Sequence, residues 1–158
     1  MRVMTTLYDE DFYAWTQAQA AVLREAKASD LDWAHLAEEI ESLGKREWYA
    51  VESRLAVLVR HLLKWRYQPE RRQRGRSWRS TIWEQRSRIH RLLRLNPELR
   101  RHLSEMIVAE YPSIRRRTLD ETGLPPQVLP LTCPWTPTQV LDEDFWPEGD
   151  ADADEREG

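Results

Sequence analysis

Residues 47–68 have the sequence EWYAVESRLAVLVRHLLKWRYQ, and this stretch decides the fold. Its large apolar side chains recur at spacings of three and four residues, which places them on one side of a helix of about six turns. They are Trp48, Val51, Leu55, Leu58, Leu62 and Trp65. Val59 and Leu63 widen this stripe beyond the narrow seam of a coiled coil. The stretch therefore predicts the central helix of an all-α helical bundle.

Four more helices are predicted around the central one, which gives a bundle of about five. The five cover residues 9–27, 30–43, 45–68, 77–95 and 97–122. Gly44 is predicted to end the second helix, because glycine readily adopts the left-handed conformation that follows many helices. Only Gly44 separates the second predicted helix from the central one. A connection this short predicts that the two helices pack antiparallel or cross sharply.

Residues that cap helices support these boundaries. The predicted N-caps are Asp9, Ser29 or Asp30, Ser77 and Asn96. Asn96 gives the strongest signal, since Pro97 follows it and proline favours the first position of a helix. Pro112 lies inside the fifth helix and predicts a kink or break there, and Gly123 is predicted to end that helix.

Proline-rich sequence follows the last helix. From Leu124 onward the prolines are too frequent for a long helix, and the apolar residues are too frequent for a free linker. We expect an extended arm over 124–147, packed across the bundle, with a short helical turn from Pro137 to Leu141. Residues 148–158 are acidic and lack large apolar side chains, so they predict a flexible tail. Residues 1–147 are interpreted as a single helical domain.

Composition favours a cytoplasmic protein. The chain has 158 residues and one cysteine, Cys133, which has no partner for an internal disulfide. Its first dozen residues lack the apolar core of a signal peptide, and its most apolar run is too short to span a bilayer. We therefore expect a soluble, cytoplasmic protein that does not associate with membranes.

Charge is segregated along the chain. Residues 1–59 hold 6 basic and 11 acidic side chains, residues 60–117 hold 17 and 5, and residues 118–158 hold 1 and 11. Apart from Lys64, every basic residue of the middle block is arginine, whose planar group forms bidentate contacts with phosphates and carboxylates. The pattern has two interpretations, a nucleic-acid-binding surface or internal charge pairing.

The middle block contains the candidate binding residues for a polyanion or a partner protein. They are Arg66, Arg71, Arg72, Arg74, Arg76, Arg79, Tyr67 and Trp78. Arginines contact phosphates and aromatic rings stack on bases, so this combination fits a nucleic acid. The two acidic blocks can neutralise the same arginines, and the isoelectric point of 5.9 is low for a nucleic-acid-binding module. The leading hypothesis is therefore a non-enzymatic module that binds a protein partner or itself. The alternative is a nucleic-acid-binding accessory protein whose acidic tail competes with the ligand.

Three glutamates of the second helix are candidates for structural charge pairing. They are Glu38, Glu39 and Glu41, with Lys64, Arg60 or Arg66 of the central helix as partners. His35 lies one turn before them, but di-iron bundles use Glu-x-x-His on paired helices, and here the order is reversed and unrepeated. No metal or other cofactor is predicted.

His61 is the candidate for acid–base chemistry. It lies one turn from Lys64, and no serine or cysteine nucleophile accompanies it in a recognisable motif. An enzyme would require His61 to converge with Glu38 or Glu41 in one pocket. We interpret His61 as a packed or surface residue and predict no catalytic residue and no small-molecule substrate.

Two acidic and aromatic segments are alike. The sequence LYDEDFY at 7–13 and the sequence LDEDFW at 141–146 each contain an acidic triplet followed by two aromatic residues. Such a segment can insert its rings into an apolar groove while its carboxylates meet arginines at the rim. We expect the second segment to dock on the basic face of the bundle, in the same chain or in a partner subunit.

Several motifs, in the same order, resemble the bacterial family known as domain of unknown function 29. The matching stretches are YDEDFYAW at 8–15, LAEEIESLG at 36–44, HLLKWRYQPE at 61–70, CPW at 133–135 and DEDF at 142–145. The resemblance covers about residues 7–147 and implies an all-helical, stand-alone bacterial protein. It transfers no catalytic residue. Pro112 departs from the family pattern, since it lies in what looks like a continuous helix in relatives.

Overall fold

The structure, a computed structural model, describes residues 7–25, 33–72 and 76–148, and its fold is all-α. The helices are α1 (Phe12–Glu25), α2 (Trp33–Tyr67), α3 (Arg76–Leu95), α4 (Leu103–Thr122) and α5 (Pro137–Leu141). A helical turn at 7–10 precedes α1, and three 3-10 segments lie at Pro69–Arg71, Pro97–His102 and Pro126–Val128. These ranges contain no strand. The predicted class, a helical bundle with a proline-rich C-terminal arm, is confirmed.

The chain divides into two compact units. The first combines Met1–Val51 with Arg91–His102, and the second combines Glu52–His90 with Leu103–Gly158. Helices α2 and α3 each contribute residues to both units. The single domain over 1–147 stays a prediction.

Helix α2 continues through Gly44, so the predicted helix end there is wrong. Segments 30–43 and 45–68 belong to one helix from Trp33 to Tyr67. Gly44 is buried and does not have a positive φ. A Cβ at this position would come within 3.0 Å of the Thr16 hydroxyl oxygen on α1. The glycine is therefore needed for the close approach of α1 to α2.

Asp11 caps α1, in place of the predicted Asp9. Its Oδ1 accepts the backbone N–H of Ala14 at 2.9 Å, which satisfies a donor of the first helical turn. The other oxygen, Oδ2, accepts the backbone N–H of Glu98. One carboxylate thus caps α1 and the 3-10 segment Pro97–His102, and both lie in the first unit.

Asn96 does not act as the predicted N-cap. Its side-chain amide donates to the Leu92 carbonyl at 3.0 Å and to the Glu47 carboxylate at 3.2 Å. Asp11 already satisfies the N–H of Glu98, so the asparagine oxygen has no capping role there. The predicted caps Ser29 and Asp30 and the predicted helix end at Lys27 lie outside the described residues. Ser77 is inside α3.

Helix α4 passes through Pro112 without a break. Proline has no N–H for the carbonyl of Val108, so the helix lacks one backbone hydrogen bond at this point, on a side where Val108 is 71% exposed. The predicted end at Gly123 is confirmed, because Gly123 has φ 69° and its N–H donates to the Leu119 carbonyl at 2.8 Å.

The second unit has its own core, to which the arm (residues 124–147) contributes. Its buried side chains include Leu55, Leu58, Val59, Leu62, Leu63, Ile82, Ile89, Met106, Ile107, Ile114, Leu129, Val140 and Leu141. The Tyr111 hydroxyl of α4 donates to the Pro130 carbonyl at 2.8 Å. Within the arm, Thr136 and Gln139 form a capping box at the start of α5, which confirms the predicted short helical turn.

Candidate functional site

Arg86 of α3 anchors the end of the arm. Its side chain is 1% exposed, its Nε donates to the Val140 carbonyl at 2.9 Å, and its Nη2 donates to the Phe145 carbonyl at 2.8 Å. Beside it, a ring nitrogen of His90 lies 2.9 Å from the Leu141 carbonyl. The expected docking of segment 141–146 on a basic helix therefore occurs within the chain, and backbone carbonyls rather than carboxylates receive the hydrogen bonds.

Burial sets the electrostatics of Arg86. Desolvation lowers the pKa of its guanidinium, and the negative charges of Asp142 and Glu143 oppose that shift. Arg86 is buried, whereas most other arginines of α3 are exposed. Its spacing from Ile82 and Ile89 puts it on the buried stripe, and that spacing was the available signal.

Four contacts connect two tryptophans and three arginines of the second unit, of which Arg86 is buried and the other four are at least partly exposed. The Trp65 and Trp146 rings lie 4.8 Å apart between centroids. The Arg72 guanidinium lies 5.2 Å from the Trp65 centroid, and Arg79 and Arg86 lie 5.1 Å and 5.4 Å from the Trp146 centroid. Each of the three arginine contacts is within the range of a cation–π interaction. We call these five residues the arginine–tryptophan stack.

An open pocket of about 530 Å³ lies beside this stack. It is lined by Arg79, Ser80, Trp83, Glu143, Asp144 and Trp146. Trp83 is 62% exposed, so much of its indole ring is in contact with water. One cationic and two anionic side chains surround the two indole rings, so the pocket combines apolar area with charges of both signs.

The predicted binding residues separate into different environments. Arg72 and Arg79 join the arginine–tryptophan stack, and the Nε of Arg72 also donates to the Trp65 carbonyl at 2.7 Å. Arg66 lies over the ring of Tyr67, with 5.3 Å from its guanidinium carbon to the centroid. Arg72 therefore makes contacts within the chain through both its Nε and its guanidinium group.

The other members of the predicted set are Arg71, Arg74, Arg76 and Trp78. Arg71 is exposed on the segment Pro69–Arg71, and Trp78 is half-buried on α3. Arg76 is the first residue of α3, and its side chain and the whole of Arg74 lie outside the described part of the chain. Sequence reasoning did not assign Ser80, Glu143, Asp144 or Trp146 to a site, although segment 141–146 had been expected to dock.

The predicted charge pairs are replaced by others. Glu41 pairs with Arg24 of α1, and this hydrogen bond lowers the pKa of Glu41. Glu38 and Glu39 are exposed. Because α2 does not turn back at Gly44, the antiparallel packing that would have brought these glutamates to Lys64 does not exist.

Lys64 and Arg60 pair instead with Glu121 of α4. His61 lies between them in sequence, and its Nδ1 is 2.8 Å from the Val57 carbonyl. Burial lowers the pKa of His61, the Val57 carbonyl and Glu121 oppose this, and the charges of Lys64 and Arg60 lower it further. The observed contacts therefore give His61 a packing role.

Cys133 is the chain's one thiol. The thiol of Cys133 lies 3.5 Å from the Trp135 carbonyl, and burial raises its pKa, which disfavours the nucleophilic thiolate. Among the described residues, no three His, Cys, Asp or Glu side chains are grouped so that they could hold a metal ion. Within the same ranges, every helix is too short or too polar to cross a membrane.

The fold and the surface together define an all-α protein with a docked C-terminal arm. Within that class, the chain belongs to the family described as domain of unknown function DUF29, whose model matches residues 7–146. It is similar to an alpha-helical protein of unknown function from Rhodospirillum rubrum, with 29% sequence identity and a TM-score of 0.61. That similarity covers 92% of this chain and 93% of the other. None of the curated proteins compared with the chain matches it.

Proposed function

We propose that this protein is a non-enzymatic, cytoplasmic protein-interaction module of bacteria, and that the pocket beside the arginine–tryptophan stack is its binding site. The observation that carries the proposal is the exposure of Trp83 in a pocket that is also lined by Trp146, a residue held by several contacts. Trp146 is fixed by contacts with Trp65, Arg79 and Arg86. A large exposed indole beside a preorganised wall is typical of the residues that dominate protein interfaces.

The charges of the pocket favour a particular occupant. Glu143 and Asp144 provide two carboxylates, while the guanidinium of Arg79 already lies over Trp146. A partner segment with an apolar side chain against Trp83 and a lysine or arginine near the two carboxylates satisfies both features. We therefore infer that the partner is a protein segment that is basic as well as apolar.

Peptide selection tests this proposal directly. Random peptides are selected on the immobilised full chain and then scored by their affinity for Trp83→Ala. We expect enrichment of peptides that contain basic and apolar residues, with affinity reduced about 30-fold or more by Trp83→Ala. The double variant Glu143→Gln, Asp144→Asn should weaken the basic peptides selectively.

Tyr49→Ala provides the matched control, because Tyr49 is an aromatic residue that is 57% exposed and does not line the pocket. It should leave peptide affinity unchanged. Equal binding to the wild-type chain and to Trp83→Ala would refute the proposal. A second copy of the chain becomes the occupant if light scattering shows a dimer that Trp83→Ala abolishes.

Nucleic-acid binding is the second candidate. It is supported by the exposed Arg71 and Arg79, which lie in the sequence near the aromatic residues Tyr67 and Trp83. Glu143 and Asp144 oppose it, since they would repel phosphates at the same pocket. Binding of short RNA and DNA is measured across a salt series, for the full chain and for a version that ends at Pro147. A steep fall in affinity with salt, with tighter binding by the shorter chain, would favour this candidate.

A further inference from the structure

We propose a second binding site, for a small tetrahedral oxyanion such as a phosphate group, at the cluster formed by Arg60, Lys64, Arg117 and Glu121. Helices α2 and α4 supply these four side chains, all within the second unit. None of the four lines the pocket described above, so this site is independent of the proposed function.

Charge imbalance is the first observation. Three cationic side chains contact a single carboxylate, which leaves two positive charges uncompensated within the cluster. The Nε of Arg60 is 3.6 Å from Glu121 Oε2, the Nε of Arg117 is 3.2 Å from Oε1, and the Nζ of Lys64 contacts Oε2. The side chains of Arg60 and Lys64 are only 14% and 13% exposed, so water screens their charges poorly.

An unsatisfied donor is the second observation. The Nε of Arg60 is buried and has no hydrogen-bond partner, since 3.6 Å is too long for a hydrogen bond to Glu121. Buried donors are costly when they are unpaired, and a charged donor more so. An incoming oxyanion would supply the acceptor and neutralise the excess charge at the same time.

The electrostatics of neighbouring groups agree with this geometry. Burial lowers the pKa of Arg60, Glu121 opposes the shift, and the like charge of Arg117 lowers the pKa further. The pKa of the adjacent His61 is lowered mainly by burial and also by Lys64 and Arg60. The cluster is open at its rim, where the side chain of Arg117 is 67% exposed and that of Glu121 is 33% exposed. A small anion can therefore approach the rim without a change of fold, and it meets the buried Nε of Arg60 when the Glu121 carboxylate moves aside.

Glu121 now occupies the position of an anionic ligand. A carboxylate has two oxygens and one negative charge, and it already accepts from Lys64 and Arg117. A phosphate offers more oxygens and a second charge, and arginine binds such groups in a bidentate manner. We therefore assign the site to a dianionic phosphate, either free or carried by a small molecule.

The test measures anion binding to the full chain. Inorganic phosphate, phenyl phosphate, sulfate and acetate are titrated at constant ionic strength, and the arginine Nε–H signals are followed in proton–nitrogen NMR spectra. We expect saturable shifts of the Arg60 and Arg117 signals with phosphate and sulfate, and none with acetate. Stronger binding of phenyl phosphate would point to a phosphorylated small molecule, and stronger binding of inorganic phosphate to the free ion.

Three single substitutions decide the outcome. Arg117→Gln should weaken phosphate binding roughly tenfold, because it removes one nearby charge at the rim without altering the buried part of the cluster. Glu121→Gln should strengthen it by a similar factor, since the competing carboxylate is lost. Arg116→Gln, the neighbouring exposed arginine of α4, makes the same charge change outside the cluster and should have no effect. Equal effects of Arg116→Gln and Arg117→Gln, weaker binding by Glu121→Gln, or no saturable shift with phosphate would each overturn the proposal.

Discussion

Replacing Gly44 by alanine distinguishes two roles for this glycine, a close contact between α1 and α2 and a left-handed helix end. In an open helix this change stabilises by about 1 kcal/mol, because alanine is the better helix former. In this protein the new Cβ would come within 3.0 Å of Thr16 Oγ1 and would lie 3.2 Å from Gln17 Nε2. Thr16 is fully buried and its hydroxyl donates to the Tyr13 carbonyl at 2.8 Å, so it cannot rotate away without losing that bond.

The expected magnitude follows from these opposing effects. Overpacking a rigid interior costs about 1–3 kcal/mol, and breaking the Thr16 hydrogen bond costs about 1 kcal/mol more. After subtracting the helix-propensity gain, Gly44→Ala should lower the free energy of unfolding by about 1–3 kcal/mol. In a Thr16→Ala background the oxygen is absent and Thr16 Cβ would be 3.4 Å away, an ordinary contact. There the same substitution should be neutral or stabilising by up to about 1 kcal/mol.

A double-mutant cycle measures this coupling. Urea unfolding is followed by circular dichroism for the wild type, each single variant and the double variant, and the coupling energy should be about 1–4 kcal/mol. A left-handed glycine at a helix end would instead give the same loss in both backgrounds, because its strain lies in its own backbone. Equal losses with and without the Thr16 hydroxyl would show that the packing explanation is incorrect.

Two further predictions concern the second unit. Arg86→Ala should lower the free energy of unfolding by on the order of 3–5 kcal/mol, since it leaves a cavity and two unpaired carbonyls; the control Arg88→Ala, which breaks an exposed pair with Glu84, should cost less than about 0.5 kcal/mol. The ratio of the two losses in urea titrations is the readout, and equal losses would show that Arg86 does not hold the arm. Because the pKa of His61 is lowered from 6.5, the unfolded chain binds a proton at this residue more readily than the folded chain does. Neutral His61 therefore makes its full contribution to the free energy of unfolding above about pH 6.5, and this contribution decreases as the pH falls below that value. His61→Gln should flatten this part of the stability profile, and an unchanged slope would contradict the assignment.

Helical periodicity and the residues that cap or end helices predict much of the fold. The middle of the stripe in residues 47–68 is buried as expected, with Val51, Leu55, Leu58 and Leu62 at 2% exposure or less, while the two end members, Trp48 and Trp65, are half-buried. The end of α4 at Gly123 and the short helix after Thr136 also agree with the sequence, because a left-handed glycine and a capping box are local devices. Such features depend on residues only a few positions apart.

The failures share one physical cause, which is long-range packing. Nothing near Gly44 in the sequence indicates that Thr16 lies against it, and a helix-ending glycine has the same local signature. Glu121 was not foreseen as the partner of Lys64, since the two residues lie on different helices. Among the described candidate binding residues, the arginines could be counted in advance, but their division between the arginine–tryptophan stack and the solvent could not. That division depends on where Trp146 packs, since its ring contacts Arg79.

The separation in sequence between Arg86 and its acceptors has a kinetic consequence. The carbonyls of Val140 and Phe145 follow it by 54 and 59 residues. At ordinary translation rates, on the order of 3–12 s pass between the synthesis of the guanidinium and that of its acceptors. During this interval Arg86 stays hydrated and the face of Trp65 that later meets Trp146 stays uncovered. A nascent chain that still lacks the arm therefore leaves this aromatic and cationic surface in water, and the arrival of the arm buries it.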